Sequence, residues 1–383
     1  MLTTAFPRSG AAASLLGFGC MRLPTLPDGS VDYPQTKAMI DRAMRAGINY
    51  YDTAYCYHDE KSEEILARAL ADYPRESYLL ADKMPMWLVS CADDCRSLFA
   101  EQQRRCRSEY FDFYLAHSLS ENTIDLLARP EILGFLTGLR ETGAVRELGF
   151  SFHDDALQLR RVLDLCDWDF CQLQINYADW ANGSARVLYD IAAERGLPVI
   201  VMEPVRGGFL ASPPEEVAAL LSEAVPERSF AEWAMRFAAA LPQVRVVLSG
   251  MSTPHQLEDN LKAMSDFAAA GRVLSTAEAA VITRAGELLN ARRGVACTNC
   301  RYCTDCPFGV KIPEIFRLMN DQMLDADPGA PAYFHDLCRA GRGPDHCTAC
   351  GKCAALCPQH IDIPTVLRQA EELFAAPEAN TPA

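Results

Sequence analysis

The sequence predicts an α/β protein in two parts, a barrel of eight parallel strands followed by a small, mainly helical module. Between about residues 14 and 290, short apolar runs of strand composition alternate with amphipathic helical stretches, which is the pattern of a parallel sheet. From about residue 292 the strand signal ends and cysteine motifs begin. A chain of 383 residues, 49% of them hydrophobic, is long enough for a barrel-sized core and an appendage.

The barrel is predicted from eight apolar runs with the length of buried strands and from the helices between them. The runs are Leu15–Met21, Tyr50–Thr53, Tyr78–Lys83, Phe111–His117, Glu147–Phe152, Phe170–Asn176, Pro198–Glu203 and Val244–Gly250. The helical segments have apolar residues at three- and four-residue intervals, and examples are Gln35–Ala46, Glu60–Ala71, Asp125–Glu141 and Arg186–Arg195. Eight strand–helix units are the count of a TIM barrel, where active sites lie at the carboxyl ends of the strands.

Beyond the eighth strand–helix unit the sequence predicts helices and little strand. Ser275–Ala291 is expected to be a helix that leads into the first cysteine motif, and Ile312–Met323 and Ile363–Phe374 also have helical patterns. The last residues have the composition of a disordered tail. We therefore expect a barrel over residues 1–290, a helical module over residues 291–374 and a disordered tail over residues 375–383.

Two cysteine motifs near the carboxyl end have the spacing of iron–sulfur ligands. The first contains Cys297, Cys300, Cys303 and Cys306, and the second contains Cys347, Cys350, Cys353 and Cys357. A proline directly follows the last cysteine of each motif. The pattern C-x2-C-x2-C-x3-C-P is the signature of bacterial ferredoxins, which bind 4Fe–4S clusters through cysteine thiolates. The second motif matches it fully, and the first is one residue short before its fourth cysteine. The sequence therefore predicts a ferredoxin-like iron–sulfur module with these eight cysteines as metal ligands.

Structural zinc and disulfide bonds are the alternatives for these cysteines. Zinc normally takes two separated C-x2-C pairs, whereas these thiols lie in tight runs. Disulfide bonds need an oxidising compartment, and the first residues of the chain do not have the pattern of a signal peptide. Iron–sulfur ligation is therefore the favoured interpretation. Because cluster thiolates are safest in a reducing space, the expected location is cytoplasmic.

The charge of the chain argues against two classes of partner. With a formal net charge of -15 at pH 7, the chain is unlike proteins that bind nucleic acids or anionic membrane surfaces, which need clustered Lys and Arg. The sequence also has no apolar stretch of the length that spans a bilayer. We therefore expect neither a nucleic-acid partner nor a membrane partner.

Titratable side chains follow three successive strands of the predicted barrel. Asp52 and Tyr57 come at the end of the second strand, Lys83 ends the third, and His117 ends the fourth. Because the carboxyl ends of barrel strands meet at one mouth, we expect these four side chains to converge there. A phenol beside an ammonium can protonate a carbonyl oxygen, while a carboxylate holds the ammonium and an imidazole orients the substrate.

The chain resembles the aldo-keto reductase superfamily, and within it the branch that carries a carboxyl-terminal 4Fe–4S ferredoxin-type domain. The resemblance rests on these four residues, on the Asp-x4-Tyr spacing that selects Tyr57 over Tyr55, and on the two cysteine motifs. It implies that the four residues are a catalytic tetrad. It also implies that the chain reduces a small-molecule aldehyde or ketone with a nicotinamide cofactor.

The resemblance extends to segments that bind the nicotinamide cofactor in that superfamily. It implies a cofactor site formed by Gly19, Met21, Arg22, Ser151, Gln172, Gly250, Met251, Ser252, Gln256 and Asn260. Two positions depart from the wider family. Met202 stands where many members stack an aromatic residue on the nicotinamide, and Gln256 stands where many have an arginine for the 2′-phosphate. NADP and NAD are therefore both candidates.

The role of the clusters is open at this stage. A nicotinamide transfers a hydride, an iron–sulfur cluster passes single electrons, and a flavin is the usual converter between them. A barrel phosphate site can also accept FMN. Three hypotheses follow: a carbonyl reductase whose clusters are structural or redox-sensing, a flavin- and cluster-dependent enzyme served by a ferredoxin-like electron partner, and a non-catalytic redox-responsive binding protein. The first is favoured because the full tetrad meets the acid–base requirement of carbonyl reduction.

The number of clusters is also open. By analogy with two-cluster ferredoxins, the fourth cysteine of each run is expected to bind the cluster of the other run. Cys297, Cys300 and Cys303 would then share one cluster with Cys357, and Cys347, Cys350 and Cys353 would share the other with Cys306. If the shortened first run cannot reach, Cys338 is the spare thiol nearby, and a single cluster is the alternative.

Overall fold

The structure is a computed structural model that describes residues 1–181, 183–291, 294–298, 300–325 and 329–375. The chain forms two compact units, the first of Met1–Arg206 and Leu220–Glu287 and the second of Gly207–Ala219 and Leu288–Ala383. The sequence assigned Gly207–Ala219 to the barrel region, but this segment groups with the second unit. The predicted boundary at residues 290 and 291 stays a prediction, and residues 376–383 of the predicted tail lie outside the described residues.

Eight parallel strands of the first unit close into a barrel, which confirms the predicted fold class. They follow an antiparallel hairpin of β1 (Thr3–Ala5) and β2 (Ala12–Ser14). The barrel strands are β3 (Leu16–Gly19), β4 (Tyr50–Asp52), β5 (Leu79–Met84), β6 (Phe111–Leu119), β7 (Val145–Phe152), β8 (Phe170–Gln174), β9 (Val199–Met202) and β10 (Val244–Ser249). Each strand pairs with the next, and β10 pairs with β3 to close the barrel.

The hairpin of β1 and β2 is a difference from the sequence prediction, because strands of three residues give no periodic signal. The Phe6 side chain beside it is fully buried, and its ring centroid lies 4.6 Å from that of Phe113 in β6. The Thr4 hydroxyl donates to the carbonyl oxygen of Arg245, near the beginning of β10, at 2.6 Å. The hairpin therefore covers the amino-terminal end of the barrel and leaves the carboxyl ends of the strands for a site.

Helices alternate with the barrel strands and continue into the second unit. They are α1 (Tyr33–Arg45), α2 (Ser62–Leu70), α3 (Ala92–Cys106), α4 (Glu121–Leu127), α5 (Pro130–Glu141), α6 (Ala156–Leu163), α7 (Tyr177–Ala181), α8 (Ser184–Glu194), α9 (Glu215–Ala224), α10 (Phe230–Ala240), α11 (Pro254–Ala269), α12 (Thr276–Ala291), α13 (Ile312–Asp325), α14 (Ala330–Arg339), α15 (Lys352–Ala355) and α16 (Ile363–Leu373). Among the described residues, no helix has both the length and the apolar character needed to cross a bilayer.

The long helix predicted over Asp125–Glu141 is wrong, because the structure has two helices there, α4 and α5. Pro130 is the first residue of α5, and Arg129 before it has an extended backbone with φ -65° and ψ 130°. A residue before proline is disfavoured in the α conformation, so the apolar periodicity continues across a break in the helix. Pro130 is a signal for the start of a new helix, whereas the apolar periodicity on both sides of it favours one continuous helix.

The second unit has its own small apolar core, formed mainly by helices as predicted. Its buried side chains include Phe316 and Met319 of α13, Phe334 of α14 and Leu367 of α16. The rings of Phe334 and Phe374 are stacked with centroids 4.4 Å apart. Six of the eight cysteines in the two motifs pack against this core, so the core fixes the frame of the cysteine loops.

Candidate active site and cluster sites

Three neighbouring strands bring the predicted tetrad to the carboxyl end of the barrel. Asp52 is the last residue of β4, Lys83 lies one residue before the end of β5, and His117 lies near the end of β6. Tyr57 lies in the turn after β4, where its backbone N–H donates to the carbonyl oxygen of Ala54 at 3.1 Å. Strand pairing therefore fixes three of the four residues, and a tight turn fixes the fourth.

The ammonium of Lys83 is the centre of this group. It donates to the Oδ1 of Asp52 at 2.5 Å, to the carbonyl oxygen of Thr53 at 2.6 Å and to the hydroxyl oxygen of Tyr57 at 3.3 Å. The Lys83 side chain is fully buried, with 0% exposure. A buried ammonium is tolerable only when it is paired and hydrogen-bonded, and these three acceptors meet that requirement.

The environment of the site sets the protonation of the phenol and the ammonium. Burial raises the pKa of Tyr57, the Lys83 charge lowers it and the Asp52 charge raises it again, so the net pKa lies above that of a free tyrosine. Burial lowers the pKa of Lys83, but Asp52 and Tyr57 raise it, and the net pKa also lies above its ordinary value. At neutral pH both groups hold their protons, so the phenol is a proton donor beside a fixed positive charge.

His117 lies beside this group as a neutral imidazole. Burial lowers the pKa of His117 well below its ordinary value, and the charges of Lys83 and His153 act in the same direction. Its ring centroid lies 6.2 Å from that of Tyr57 and 5.0 Å from that of Trp87. A neutral imidazole can donate one N–H to a substrate oxygen without adding charge to the site.

Two residues expected to bind the nicotinamide are close to the tetrad. The Nε2 of Gln172, in β8, donates to the Oδ2 of Asp52 at 3.1 Å, and both side chains are buried. The hydroxyl of Ser151, in β7, accepts from the backbone N–H of Ser118 at 2.7 Å. The contact from Gln172 to Asp52 was not anticipated from the sequence. It joins β8 to β4 across the barrel and holds the carboxylate on the side away from Lys83.

The segments after β3 and β10 lie side by side at the same end of the barrel. A Cβ atom placed on Gly19 would lie 3.3 Å from the carbonyl oxygen of Ser249, and one on Gly250 would lie 3.1 Å from the Cβ of Arg22. The hydroxyl of Ser252 donates to the carbonyl oxygen of Arg22 at 2.8 Å. Met21 is half-buried beside these residues in the chain, and Met251 is buried. The two glycines therefore permit the close approach of these two segments.

The last two predicted cofactor residues belong to α11. The Oε1 of Gln256 accepts from the backbone N–H of Ser252 at 2.7 Å, and the Nδ2 of Asn260 donates to the hydroxyl of Ser249 at 2.8 Å. Thr253 caps this sixteen-residue helix by accepting from the N–H of Gln256. A helix amino-terminus beside a strand end suits a phosphate group, and the neutral side chain of Gln256 adds no charge for a second one.

The loop after β9 is held in a strained conformation by polar contacts of the first unit. Glu203 and Arg206 have positive φ angles of 53° and 48°, which non-glycine residues rarely adopt. The Oε1 of Glu203 accepts from Arg22 at 2.9 Å, and its carbonyl oxygen accepts from Asn176 at 3.3 Å. The guanidinium of Arg206 pairs with Asp179 at 3.4 Å. Strain of this kind concentrates at functional sites, which agrees with the position of the loop.

Two cavities of the second unit are each lined by four cysteine thiols. One is lined by Cys297, Cys300, Cys303 and Cys357, and the other by Cys306, Cys347, Cys350 and Cys353. This is the crossed grouping that the analogy with two-cluster ferredoxins implies. The spare thiol Cys338 does not line either cavity among the described residues, and its Sγ atom lies against Gly343.

The chemistry of both cavities fits a 4Fe–4S cluster. Four thiols is the number of ligands that such a cluster takes. Pro313, Phe316 and Ile363 line the first cavity together with polar residues such as Gln359, and Val310 and Leu367 line the second. The apolar residues of each wall shield a cluster from water, and the four cysteines provide the sulfur ligands that it takes.

Comparisons with known proteins identify both parts of the chain. A family model described as the aldo/keto reductase family matches residues 15–270, which is more than half of the chain. A model described as a 4Fe–4S dicluster domain matches residues 296–361, which contain all eight cysteines of the two motifs.

Two curated relatives are similar over most of their length. L-galactose dehydrogenase of Arabidopsis thaliana is 25% identical over 290 residues, which cover 70% of this chain and 89% of that protein. The uncharacterised oxidoreductase YqkF of Bacillus subtilis is 23% identical over 280 residues, which cover 65% of this chain and 87% of that protein.

Solved structures share the barrel fold. The aldo-keto reductase AKR11C1 from Bacillus halodurans, in its holo form, aligns with a TM-score of 0.61 and 23% identity over 74% of this chain and 96% of its own. An aldo-keto reductase from Klebsiella pneumoniae in complex with NADPH aligns with a TM-score of 0.59 and 18% identity over 74% of this chain and 95% of its own. With its barrel matched to the family model and its cysteines to the dicluster model, the chain belongs to the aldo/keto reductase family and carries a 4Fe–4S dicluster domain.

Proposed function

We propose that this protein reduces an aldehyde or ketone with NADPH or NADH, and that its second unit holds two 4Fe–4S clusters. The observation that carries the proposal is the position of the Lys83 ammonium, 2.5 Å from Asp52 and 3.3 Å from the hydroxyl of Tyr57. Such an arrangement pairs a proton-donating phenol with a cation that stabilises the phenolate left behind. Proton donation to oxygen is what carbonyl reduction demands of the protein.

The residues of the site have separate roles in this reaction. When bound, the nicotinamide supplies the hydride that the carbonyl carbon receives. Tyr57 donates its proton to the carbonyl oxygen, and Lys83 stabilises the resulting tyrosinate. Asp52 neutralises Lys83 in a buried site, where an unpaired ammonium would be very costly. His117 donates a hydrogen bond that orients the carbonyl oxygen toward Tyr57.

The cofactor is proposed to lie across the carboxyl ends of several strands. Ser151 and Gln172 would hold the carboxamide of the nicotinamide, and Gly19 would permit its close approach. The segment from Gly250 to Ser252 and the amino-terminus of α11 would hold the pyrophosphate. Asn260 and the chain around Met21 and Arg22 complete the proposed set. Support comes from the short distances between the segments after β3 and β10, such as the 2.8 Å hydrogen bond from the hydroxyl of Ser252 to the carbonyl oxygen of Arg22.

The nucleotide preference is proposed to be weak. An arginine binds a 2′-phosphate through charge-assisted hydrogen bonds, whereas the side chain of Gln256 is neutral and accepts from the N–H of Ser252. NADH should therefore compete with NADPH. No observation favours FMN over a dinucleotide at this site, so FMN remains the minor candidate.

The clusters are proposed to be structural or redox-sensing parts of the protein. Cys297, Cys300, Cys303 and Cys357 would hold one, and Cys306, Cys347, Cys350 and Cys353 would hold the other. When bound, the clusters offer single-electron transfer, which the hydride chemistry of the barrel does not need. A ferredoxin-like electron partner is therefore a prediction of the alternative function, and the cytoplasm is the proposed location because it keeps thiolates reduced.

The Tyr57→Phe variant tests the proposed function. We expect it to lose about 10²- to 10⁴-fold in kcat for anaerobic reduction of a panel of aryl and alkyl aldehydes by NADPH, because it lacks the proton donor. Its affinity for NADPH, measured by quenching of protein fluorescence, should stay unchanged. Tyr55→Phe is the matched control, since Tyr55 lies outside the Asp-x4-Tyr pattern. Equal activity of Tyr57→Phe and the unmodified protein would contradict the assignment.

A further inference from the structure

A group of buried polar side chains lies behind Lys83, on the outer face of β5. Asp82 precedes Lys83 in the strand, so its side chain points away from the barrel interior. Asp82 and Glu63, in the first turn of α2, are both fully buried. Ligand atoms of these two carboxyl groups and of Cys106 in α3 lie within 4.8 Å of one another. Two buried carboxylates so close together cannot both be charged without a large electrostatic cost.

The partners of the two carboxyl groups show which one keeps a proton. Arg105 donates to the Oε2 of Glu63 at 3.1 Å, and Gln102 donates to its Oε1 at 3.1 Å. Asp82 accepts instead from the backbone N–H of Lys83 at 2.8 Å and from the thiol of Cys106 at 3.6 Å. The cation therefore stands beside Glu63, which makes Glu63 the charged member of the pair and Asp82 the protonated one.

The pKa shifts of the pair agree with this geometry. Burial raises the pKa of Asp82 well above its ordinary value, and the charge and hydrogen bond of Glu63 act in the same direction. Burial also raises the pKa of Glu63, and hydrogen bonds with Asp82, Gln102 and Arg105 offset only part of that rise, so the net pKa of Glu63 lies above its ordinary value while that of Asp82 lies well above its own. The titratable groups that face the pair are Arg105 and Cys106 from α3, Lys83 from β5 and Tyr114 from β6.

The same group of side chains holds the backbone of Lys83 at both of its polar atoms. The N–H of Lys83 donates to Asp82 at 2.8 Å, and its carbonyl oxygen accepts from the Nε2 of Gln102 at 2.9 Å. The hydroxyl of Tyr114 donates to the Oε1 of Gln102 at 2.5 Å, which fixes the orientation of the amide. A shift of Asp82 or Gln102 would therefore displace the strand position from which the ammonium reaches Tyr57.

We propose that Asp82 and Gln102 are positioning residues for Lys83, and that Asp82 acts as the protonated member of a proton-sharing pair with Glu63. The inference rests on the proposed function, which assigns Lys83 to the reaction. A neutral Asp82 leaves Asp52 as the carboxylate that faces the ammonium, at 2.5 Å. A charged Asp82 would add a second buried carboxylate beside Glu63 without a cation of its own, which is costly in a buried site.

A divalent cation is the other occupant that a carboxylate, a second carboxylate and a thiol can bind. Arg105 already supplies positive charge at Glu63, at a distance of 3.1 Å. A second cation at the same carboxylate would be repelled by that guanidinium. The proton is therefore the favoured occupant, and bound metal is a distinct outcome of the test.

Two substitutions at Asp82 separate positioning from general stability. With para-nitrobenzaldehyde and NADPH, Asp82→Ala should lose at least about tenfold in kcat, because the N–H of Lys83 and the carboxylate of Glu63 both lose a partner. Asp82→Asn should rescue most of that loss, because its amide donates to Glu63 as the protonated acid does. The KM for NADPH should be the same in both variants. Asp93→Ala, at an exposed position of α3, is the control for a lost aspartate.

Infrared spectra and thermal unfolding of the anaerobic holoprotein test the shared proton without any substrate. The unmodified protein should show the carbonyl band of a protonated carboxylic acid at neutral pH, and Asp82→Asn should lack it. Because the folded chain holds a proton that the unfolded chain releases above the ordinary aspartate pKa, this group makes the melting temperature fall as pH rises toward the raised pKa. Asp82→Asn should remove that part of the slope.

Three results would overturn the inference: no protonated carboxyl band in the unmodified protein, no rescue by Asp82→Asn, or one equivalent of a non-iron divalent cation that Asp82→Asn loses. If the unmodified protein reduces no aldehyde, the proposed function fails and the positioning role fails with it. The infrared band and the pH slope then still decide whether the pair shares a proton, so the two failures are distinguishable.

Discussion

The candidate acid–base site of the barrel and the cysteine-lined cavities of the second unit are built in different ways. In the barrel, polar side chains satisfy one another: Lys83 pairs with Asp52, and Gln172 holds the other oxygen of that carboxylate. In the second unit, four cysteines line each cavity together with apolar residues. The difference indicates that the barrel site is organised by the chain alone, whereas the cysteine loops depend on their clusters.

The largest expected effect follows from removing a cluster ligand. Because cluster binding is coupled to folding, Cys303→Ser should lose one cluster, about four of eight iron atoms per chain, and expose the helices of the second unit to hydrogen exchange. Cys357→Ser should abolish the same cluster, since both thiols line one cavity. Anaerobic iron quantitation, electron paramagnetic resonance and hydrogen exchange measure these losses.

Cys338→Ser is the matched control for the ligand substitutions, because Cys338 packs beside the same core but lines neither cavity among the described residues. It should keep full iron content. Protection of the barrel amides should stay unchanged in all three variants. Faster hydrogen exchange throughout the barrel after cluster loss would contradict the inference that the barrel site is organised by the chain alone.

The next largest effect is expected from the buried ion pair. Lys83→Met leaves the Asp52 carboxylate buried without its cation, so the variant should lose about 3–5 kcal/mol of unfolding free energy as well as activity. The double variant Lys83→Met with Asp52→Asn should regain part of the stability but none of the activity. Denaturant unfolding under anaerobic conditions provides the measurement.

Lys262→Met is the control for that loss, because Lys262 pairs with Asp266 at 3.3 Å on the surface of α11. An exposed pair contributes about 0–1 kcal/mol, so this variant should be nearly as stable as the unmodified protein. Equal costs for the two lysine substitutions would show that the barrel site is less organised than its contacts indicate.

A smaller, pH-dependent effect is expected from His117. Burial lowers its pKa, so between that pKa and about 6.5 the unfolded chain binds a proton that the folded chain does not. The stability that neutral His117 contributes is therefore lost as pH falls below about 6.5, by up to about 1.4 kcal/mol per pH unit. His117→Gln should be less sensitive to acid than the unmodified protein.

Thermal unfolding between about pH 7 and pH 5 measures this difference. His255→Gln, at an exposed position of α11, is the control and should follow the unmodified protein. If His117→Gln and the unmodified protein lose stability in parallel, the imidazole is not buried in its neutral form.

The smallest effect concerns the nucleotide. Gln256→Arg adds the charge that a 2′-phosphate needs, so it should lower the KM for NADPH by about tenfold, or about 1.4 kcal/mol, and leave that for NADH within about twofold. Gln256→Met has a similar length without charge, and its preference should not change. A similar shift in both variants would mean that loss of the contact with Ser252, rather than added charge, changes binding.

The sequence predicted features that depend on local pattern or on strand ends. Eight apolar runs predicted the barrel, and chain order predicted that Asp52, Lys83 and His117 lie at the ends of successive strands. Elements without a local signal were missed, such as the three-residue strands of the amino-terminal hairpin. The break before Pro130 was overlooked because apolar periodicity continues through it.

Contacts between separate elements could not be predicted from the sequence. Gln172 reaches Asp52 because β8 and β4 lie across the same barrel, and Glu63 lies near Asp82 because α2 packs against α3, which in turn packs against β5. Neither contact can be predicted from the spacing of residues along the chain. The crossed grouping of thiols was expected from the analogy with ferredoxins, and residue spacing alone would not have indicated it.

The most direct test of the central claim is the path of the hydride. With NADPH deuterated at its transferable position and para-nitrobenzaldehyde as substrate, anaerobic turnover should place one deuterium on the carbinol carbon, and mass spectrometry measures it. The label should appear at the same level in the holoprotein and in Cys303→Ser. Product without deuterium, or turnover that requires a one-electron donor, would contradict hydride transfer from NADPH with Tyr57 as the proton donor.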